Sequence, residues 1–311
     1  MALPKYPVKR IPKQKNTRRI REVIDDCNIH TVCESAKCPN IGECFSDNTL
    51  TFMILGNICT RSCSFCGVKK GQPPALDPEE PQRIAQAVKK LGLNYVVITS
   101  VTRDDLADGG ASQFAKVISH LRTHNSELRT PNSKLKTEVL IPDFQGNENA
   151  LKIVLDAKPY VLNHNVETVP RLYPDIRPQA NYQQSLDLLR RAKKSQACTE
   201  RNRGVYTKSG FMVGLGETKE EVFNVLKDLK TAGCDIVTIG QYLSPSRAHP
   251  KAERYVHPDE FKEYEVFGKN LGLEVFAGPF VRSSYHAGKK AEGLNLQPGS
   301  GLMPSKVEVL K

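Results

Sequence analysis

From residue 51 onward, short runs of apolar and β-branched residues alternate with longer segments whose apolar residues recur at helical spacing. The short runs predict six strands, at residues 51–55, 95–100, 137–142, 160–165, 209–214 and 235–240, with a possible seventh at 273–279. The longer segments predict helices at residues 78–92, 111–124, 147–158, 181–194, 218–233 and 257–272. This alternation is typical of repeated βα units and a parallel sheet.

The number of βα units indicates the fold class. Six units predict an α/β fold built as a partial (β/α)6 barrel of the TIM type, with a doubly wound open sheet as the alternative. Residues 51–277 would form this core, between an N-terminal extension, residues 1–50, and a C-terminal tail, residues 278–311. Because both architectures gather ligands beyond the carboxyl ends of the strands, the polar residues after each strand are the first candidates for a site.

Composition narrows the possible partners. The chain of 311 residues has a formal net charge of +11, which suits nucleic acid, a membrane surface, an acidic protein or simply a solvated basic surface. No RNA-binding motif accompanies the charge, so we predict no nucleic-acid partner. No apolar run of about 18 residues predicts a membrane span. The basic N-terminus lacks the apolar stretch of a secretory signal, which predicts a reducing, cytoplasmic compartment where disulfides are rare.

Six of the nine cysteines fall into two groups of three. The upstream trio is Cys33, Cys38 and Cys44, and the loop trio, directly after the first predicted strand, is Cys59, Cys63 and Cys66. Closely spaced thiolates are typical ligands of iron–sulfur clusters and of zinc. Three thiolates on a four-iron cluster would leave one iron open to a small molecule. A structural zinc site needs a fourth ligand, and the adjacent loop offers no obvious His or Cys, so a cluster is favoured over a zinc site completed from afar or over buried thiols. The remaining cysteines are predicted to be ordinary thiols: Cys27, Cys198 and Cys234.

The loop trio lies in the segment CTRSCSFCGV, whose CxxxCxxC spacing resembles the signature of radical S-adenosylmethionine enzymes, with Phe65 as the aromatic residue before the last cysteine. The upstream trio resembles that of one family of these enzymes, the lipoyl synthases. The same family resemblance is carried by TSVTRDDLADGGA, NHNVETVPRLY, KSGFMVGLGET, IGQYLSPS and GPFVRSSYHAG, so that it extends from about residue 20 to about residue 290.

The resemblance implies two [4Fe–4S] clusters, with S-adenosylmethionine as co-substrate. The loop trio would hold the cluster whose open iron binds S-adenosylmethionine, which one electron cleaves to methionine and a 5′-deoxyadenosyl radical. The upstream trio would hold an auxiliary cluster whose fourth ligand is a serine of the motif at residues 282–285, and we expect it to be Ser283. Oxygen is an atypical ligand for iron in such a cluster, so this corner should be labile, which suits a cluster that surrenders sulfur.

The resemblance also implies the reaction and its partners. Two sulfur atoms would be inserted at C6 and C8 of an octanoyl chain linked to a lysine of a carrier protein, which in this family is a 2-oxoacid dehydrogenase E2 subunit or the glycine cleavage H protein. A small acidic electron donor such as flavodoxin or ferredoxin and a cluster-repair protein would complete the set. An alkyl C–H bond offers no acidity to a general base, so a radical is required. Acidic carriers would also give the positive charge a partner.

Three polar residues around the end of the fourth predicted strand are candidates for binding the ribose and methionyl groups: Asn163, Asn165 and Glu167. Further candidates lie in the loop trio's segment or near other predicted strands: Phe65, Thr102, Arg103, Lys208, Gln241 and Leu243. For any one of the polar candidates, helix capping or loop closure is an equally good interpretation.

Two other functions stay open on the sequence alone. A radical methylthiotransferase or another two-cluster enzyme that inserts sulfur into RNA or a ribosomal protein would share both trios, although no appended RNA-binding domain is evident. A zinc-stapled nucleic-acid-binding protein would use the basic surface and bind in a salt-dependent way.

Overall fold

The chain forms one large sheet, and helices cover the sheet. The computed structural model describes residues 14–125, 135–197 and 205–288. The strands are β1 (His30–Thr31), β2 (Thr51–Ile54), β3 (Ile58–Cys59), β4 (Lys69–Lys70), β5 (Tyr95–Ser100), β6 (Lys136–Leu140), β7 (Val161–Asn163), β8 (Tyr206–Val213), β9 (Ile236–Gln241) and β10 (Glu274–Gly278). The α-helices are α1 (Gln14–Asp26), α2 (Val32–Ser35), α3 (Ile41–Ser46), α4 (Glu80–Leu91), α5 (Ala111–Asn125), α6 (Glu148–Asp156), α7 (Tyr173–Ile176), α8 (Tyr182–Ala197), α9 (Lys219–Thr231) and α10 (Pro258–Asn270).

The order of the strands decides between the two predicted architectures. Along the large sheet it is β1, β2, β5, β6, β7, β8, β9 and β10, and only β1 runs antiparallel to its neighbour. The parallel strands follow one another without the reversal that defines a doubly wound sheet. The partial α/β barrel is therefore confirmed. The possible seventh strand is also present, because β10 pairs in parallel register with β9, so the described core has seven parallel strands and not six.

Helices form where the apolar spacing predicts them. Helix α9 begins with a capping box between Thr218 and Glu221, and its core face buries Val222, Val225, Leu226 and Leu229. Helix α4 is capped at its C-terminal end by Gly92, whose φ of 66° is the left-handed conformation that glycine adopts most easily. Among the described residues, no helix combines the length and the apolar character needed to cross a bilayer.

The N-terminal extension contains α1, α2 and α3, which the sequence analysis did not assign. Helix α1 contacts α3 and α4, and Ile20, Ile24 and Phe45 are buried in the same apolar cluster as the first barrel strands. Strand β1 adds to the sheet by pairing with β2. The segment that carries the upstream trio is therefore joined to the barrel on two sides.

The chain after β10 packs against the N-terminal extension. Asn40 Nδ2 donates a hydrogen bond of 2.7 Å to the carbonyl oxygen of Phe280, and Tyr285 Oη donates one of 2.7 Å to Glu43 Oε1. These bonds tie the described part of the tail to the N-terminal extension. Residues 289–311 of the predicted tail, and Cys198, lie outside the described residues.

Candidate active site

The loop trio lies on a backbone that is held from two directions. Cys59 ends β3, and its Sγ accepts a hydrogen bond of 3.3 Å from the backbone N–H of Thr102, which follows β5. The backbone N–H of Cys66 donates to the carbonyl oxygen of Cys63 at 3.3 Å, and Nε2 of His249 lies 3.1 Å from the carbonyl oxygen of Cys66. The positions of these thiols are therefore set by the loops after β5 and β9 as well as by the trio's own loop.

The upstream trio is spread over α2, α3 and the turn between them. Cys33 lies on α2 and Cys44 on α3, and the backbone N–H of Cys38 donates to the carbonyl oxygen of Cys33 at 2.9 Å. Burial, followed by the nearby thiols Cys38 and Cys44, raises the pKa of Cys33 to about 12 although a backbone hydrogen bond opposes the shift. Burial likewise raises the pKa of Cys66 to about 12. Such thiols become thiolates at neutral pH only beside a strong positive charge, such as iron.

Both trios open into one cavity of about 490 Å³. The cavity wall includes all six thiols, Ser283, and apolar side chains that include Met53, Val101, Leu140 and Ile141. Among the described residues, no three His, Cys, Asp or Glu side chains converge on one point as a single metal ion would require. An iron–sulfur cluster takes each thiolate on a different iron, so thiols can be spread around its body. Three thiols in each of two groups on one cavity fit two clusters.

Ser283 is fixed to the cavity wall by a polar network. Its Oγ accepts a hydrogen bond of 2.7 Å from Asn163 Nδ2 and donates one of 3.0 Å to Asn165 Oδ1. Asn163 Nδ2 also donates to Glu138 Oε1 at 3.1 Å, and the same oxygen accepts from Lys208 Nζ at 2.8 Å. The side chains of Glu138 and Lys208 are only 1% and 3% exposed. Asn163 and Lys208, predicted as co-substrate contacts, thus lie in the network that supports the serine.

All the other predicted co-substrate residues except Arg103 lie on the cavity wall. Those on the cavity wall are Phe65, Thr102, Asn165, Glu167, Gln241 and Leu243. Arg103 is buried and turned toward the protein, with its guanidinium 2.9 Å from the Asp105 carboxylate and 3.4 Å from the carbonyl oxygen of Leu55. The amide of Gln241 is bonded to backbone groups of neighbouring residues, among them the N–H of Val256 at 2.9 Å. These two side chains therefore already have protein partners that hold loops in place.

Sequence reasoning missed Arg177, a buried cation on the cavity wall. Its Nη1 donates a hydrogen bond of 3.0 Å to the carbonyl oxygen of Asn165. Burial opposes its charge, but Tyr173 and Glu167 outweigh that effect and raise its pKa. Burial and the Arg177 charge together lower the pKa of His164 to about 4, so this histidine is neutral. Arg177 follows α7, well beyond the end of β7, and no strand-end pattern could have marked it.

Gly240 on β9 leaves the space through which the tail passes. A Cβ added there would lie 2.1 Å from the carbonyl oxygen of Val281, closer than such atoms can approach. We expect Gly240→Ala to displace the segment carrying Ser283, to lower the free energy of unfolding by about 1–3 kcal/mol and to accelerate hydrogen exchange in residues 279–288. Gly278, its partner across the strand pair, is the matched control, because an added Cβ there meets Val281 Cγ2 at a more tolerable 3.3 Å. Equal exchange in both variants would contradict the close approach.

Comparison with known proteins identifies the family. Residues 53–229 match the model of the radical SAM superfamily. The lipoyl synthase of Caldicellulosiruptor saccharolyticus is 54% identical over 279 residues, covering 89% of this chain and 93% of that protein. The chain belongs to the lipoyl synthase family. The lipoyl synthases of Rubrobacter xylanophilus and Alcanivorax borkumensis are 52% and 51% identical, over 91% and 92% of this chain and 84% and 85% of their own lengths. As a radical SAM enzyme of the lipoyl synthase family, the protein uses S-adenosylmethionine and [4Fe–4S] clusters.

Solved structures agree on the fold. SuiB of Streptococcus suis bound to S-adenosylmethionine gives a TM-score of 0.54 at 12% identity, covering 77% of this chain and 54% of that chain. SuiB bound to its precursor peptide SuiA gives a TM-score of 0.54 at 13% identity, covering 89% and 58%. At this identity the likeness shows the fold alone. Membership of the lipoyl synthase family, by contrast, sets aside the methylthiotransferase and zinc-protein interpretations of the two trios.

Proposed function

We propose that the residues around this cavity carry out the reaction of the lipoyl synthase family, the insertion of two sulfur atoms at C6 and C8 of a protein-bound octanoyl-lysine. One observation carries the proposal: the upstream trio, the loop trio and Ser283 come from three distant parts of the chain and line one cavity. A protein that only needed thiols for zinc or for its core would have no reason to bring a serine of the tail to the same place.

The loop trio would hold the cluster that binds S-adenosylmethionine, and the upstream trio with Ser283 would hold the auxiliary cluster. When bound, these groups supply the electron for cleaving S-adenosylmethionine and the sulfur that is inserted. In this arrangement residues 1–50 supply the auxiliary ligands, residues 51–277 the barrel, and the tail from residue 278 the serine. The protein's part is to orient these groups and to keep water away from them.

The polar wall suits the co-substrate. Asn165 Nδ2 and Glu167 Oε1 are joined by a hydrogen bond of 3.1 Å, which places an amide beside a carboxylate at the end of the β7 segment. An amide and a carboxylate can bind ribose hydroxyls and an amino group. The buried guanidinium of Arg177 provides a cation on the same wall, which suits a carboxylate. We propose supporting contacts from Phe65, Thr102, Gln241 and Leu243.

The apolar wall suits the acyl chain. Met53, Val101, Leu140 and Ile141 present hydrocarbon to the cavity, and burial of apolar surface stabilises a bound alkyl chain by about 25 cal/mol per Å². The octanoylated substrates we propose are the lipoyl carrier domains of 2-oxoacid dehydrogenase E2 subunits and the glycine cleavage H protein. The same walls would exclude water and other molecules that quench a radical.

Two further partners are proposed from the chemistry. Cleavage of S-adenosylmethionine requires an external electron, for which a small acidic donor such as flavodoxin or ferredoxin suits the net charge of +11. Use of the auxiliary cluster as sulfur donor requires a protein that rebuilds it. The cytoplasm is the proposed location, because a reducing compartment keeps the thiols available to iron.

The decisive measurement is the mass of an octanoyl-lysine carrier peptide after anaerobic incubation with reconstituted protein, S-adenosylmethionine and a reductant. We expect a gain of two sulfur atoms and a loss of two hydrogens. Formation of 5′-deoxyadenosine without sulfur gain would contradict sulfur insertion while retaining the radical chemistry. Absence of both products from protein that carries both clusters would contradict the proposed function as a whole.

The role of Ser283 can be separated from that of its neighbour Ser284. We expect Ser283→Ala to reduce lipoyl formation at least about 100-fold, because losing a ligand is at least as severe as losing the groups that orient one. Cleavage of S-adenosylmethionine at the loop trio should be largely retained. Ser284→Ala is the matched control and should behave as the unaltered protein. Product yields measured by mass spectrometry test both, and a larger loss in the Ser284 variant would move the ligand role to that residue.

A further inference from the structure

Three segments from different parts of the chain meet beside the loop trio. A Cβ added to Gly67 would lie 3.0 Å from Pro245 Cβ and 3.5 Å from the backbone of Ala36. His249 Nε2 adds a contact of 3.1 Å to the carbonyl oxygen of Cys66. We call residues 36–39, 67–71 and 244–251 the rim segments. All three contribute residues to the wall of the cavity, so they surround one side of its opening.

The rim segments are strongly basic. Their charged side chains are Lys37, Lys69, Lys70, Arg247 and Lys251, all exposed, and these segments contain no Asp or Glu. Lys37 is exposed to solvent and also lines the cavity, so the opening lies beside it. Lys70 is held beside the loop trio because β4 pairs with β3, with Lys70 opposite Cys59, which lines the cavity. Two exposed acidic residues, Glu34 and Glu253, lie close to the rim segments in the sequence but outside them.

In the part of the chain that the structure describes, these five basic side chains differ from several others in having no acidic partner. Within the described ranges, none of the five forms an ion pair, whereas Arg61, Arg103, Lys208 and Arg254 all do. Like charges on three adjoining segments repel one another, which disfavours the compact state unless a partner neutralises them. The proposed substrate is tethered to a protein, so its acyl chain can enter the cavity only when the carrier's folded body rests against the opening.

We propose that the rim segments are the docking surface for the octanoyl carrier, and that they bind an acidic patch surrounding its modified lysine. This inference rests on the proposed function and adds to it the place and the chemistry of carrier recognition. Complementary charge steers the carrier to the opening and aligns its lysine arm with the cavity, which affects association more than the reaction itself.

The test compares a whole carrier domain with a short octanoyl-lysine peptide that has no acidic patch. Lys69→Glu with Lys70→Glu, in the full chain with both clusters reconstituted, is expected to raise the KM for the carrier domain about tenfold or more and to weaken its dependence on salt. The kcat for the peptide, its KM, and the cleavage of S-adenosylmethionine should stay unchanged, since neither lysine reaches the reacting groups.

The matched control is Lys89→Glu with Lys116→Glu, the same change of charge on the exposed outer surfaces of α4 and α5. It should leave the KM for the carrier within about twofold, which separates the rim from the effect of net charge. An equal rise in KM in both double variants would overturn the docking surface, as would an equal loss with the peptide. Failure of the unaltered protein to convert the peptide would instead contradict the proposed function, so the two failures are distinguishable.

Discussion

Replacing Cys63 with alanine is expected to abolish cleavage of S-adenosylmethionine, whereas replacing Cys38 with alanine should leave most of that cleavage and abolish sulfur insertion. Each variant removes a thiol from a different trio on the cavity wall. Because the trios stand on separate segments, one cluster should survive the loss of the other. Iron should fall from about eight to about four atoms per chain in each case. Iron analysis with separate assays of 5′-deoxyadenosine and lipoyl product measures all three outcomes.

Cys27→Ala is the matched control for both variants. Cys27 is buried in the same apolar cluster as Cys33 but does not line the cavity within the described part of the chain. We expect its removal to leave iron content and both activities unchanged, with only a small loss of stability. If the Cys38 variant lost the cleavage of S-adenosylmethionine together with sulfur insertion, the trios could not be independent. A full iron complement in the Cys63 variant would remove the loop trio from its proposed role.

Elements with a strong local pattern were predictable from the sequence. Strand β5 was placed at its observed bounds, and the capped helix α9 within a few residues, because apolar spacing and capping are properties of neighbouring residues. The trios were found for the same reason: three cysteines within a short loop are visible without a structure. The order of the strands was not, since a doubly wound sheet uses the same alternation of elements.

What the sequence did not indicate depends on contacts between distant residues. Asn163 is predicted as a co-substrate contact because it ends a strand, and this stays a prediction. Its amide reaches Ser283, 120 positions away, at 2.7 Å. The tail and the N-terminal extension meet through Tyr285 and Glu43, 242 positions apart. No local periodicity encodes such a pairing. A residue at a strand end can contact a ligand or another side chain of the wall, and no local pattern distinguishes the two.

The same limit applies to Arg61, which lies inside the loop trio's segment and joins that segment to other loops. Its guanidinium bonds the carboxylates of Asp104 and Asp143 at distances from 2.6 to 2.9 Å. These residues follow β5 and β6, so one side chain joins the loop trio to the next two loops of the barrel. Burial alone would favour the neutral form of Asp143, but the hydrogen bonds and charge of Arg61 lower its pKa to about 2. Asp143 is therefore ionised at neutral pH, with its side chain fully buried.

Arg61→Met should consequently be among the most destabilising single changes in this chain. It leaves a buried carboxylate without its cation, and breaking a buried pair from one side costs about 3–5 kcal/mol. Arg171→Met is the matched control, because Arg171 pairs with Glu221 at the exposed surface, where loss of an ion pair should destabilise the protein far less.

The Arg61 prediction can also be tested through the pH dependence of stability. Without the cation, burial raises the pKa of the Asp143 carboxyl in the folded state above its unfolded value. A raised folded pKa stabilises the folded protein at low pH, and that contribution is lost as the pH rises through it. The Arg61 variant should therefore lose less of its free energy of unfolding, relative to the unaltered protein, at about pH 6 than at about pH 8. Anaerobic urea titrations of both arginine variants measure the free energy of unfolding at each pH. If the Arg61 variant lost no more of this free energy than the Arg171 variant at both pH values, the buried pair would not hold the loop.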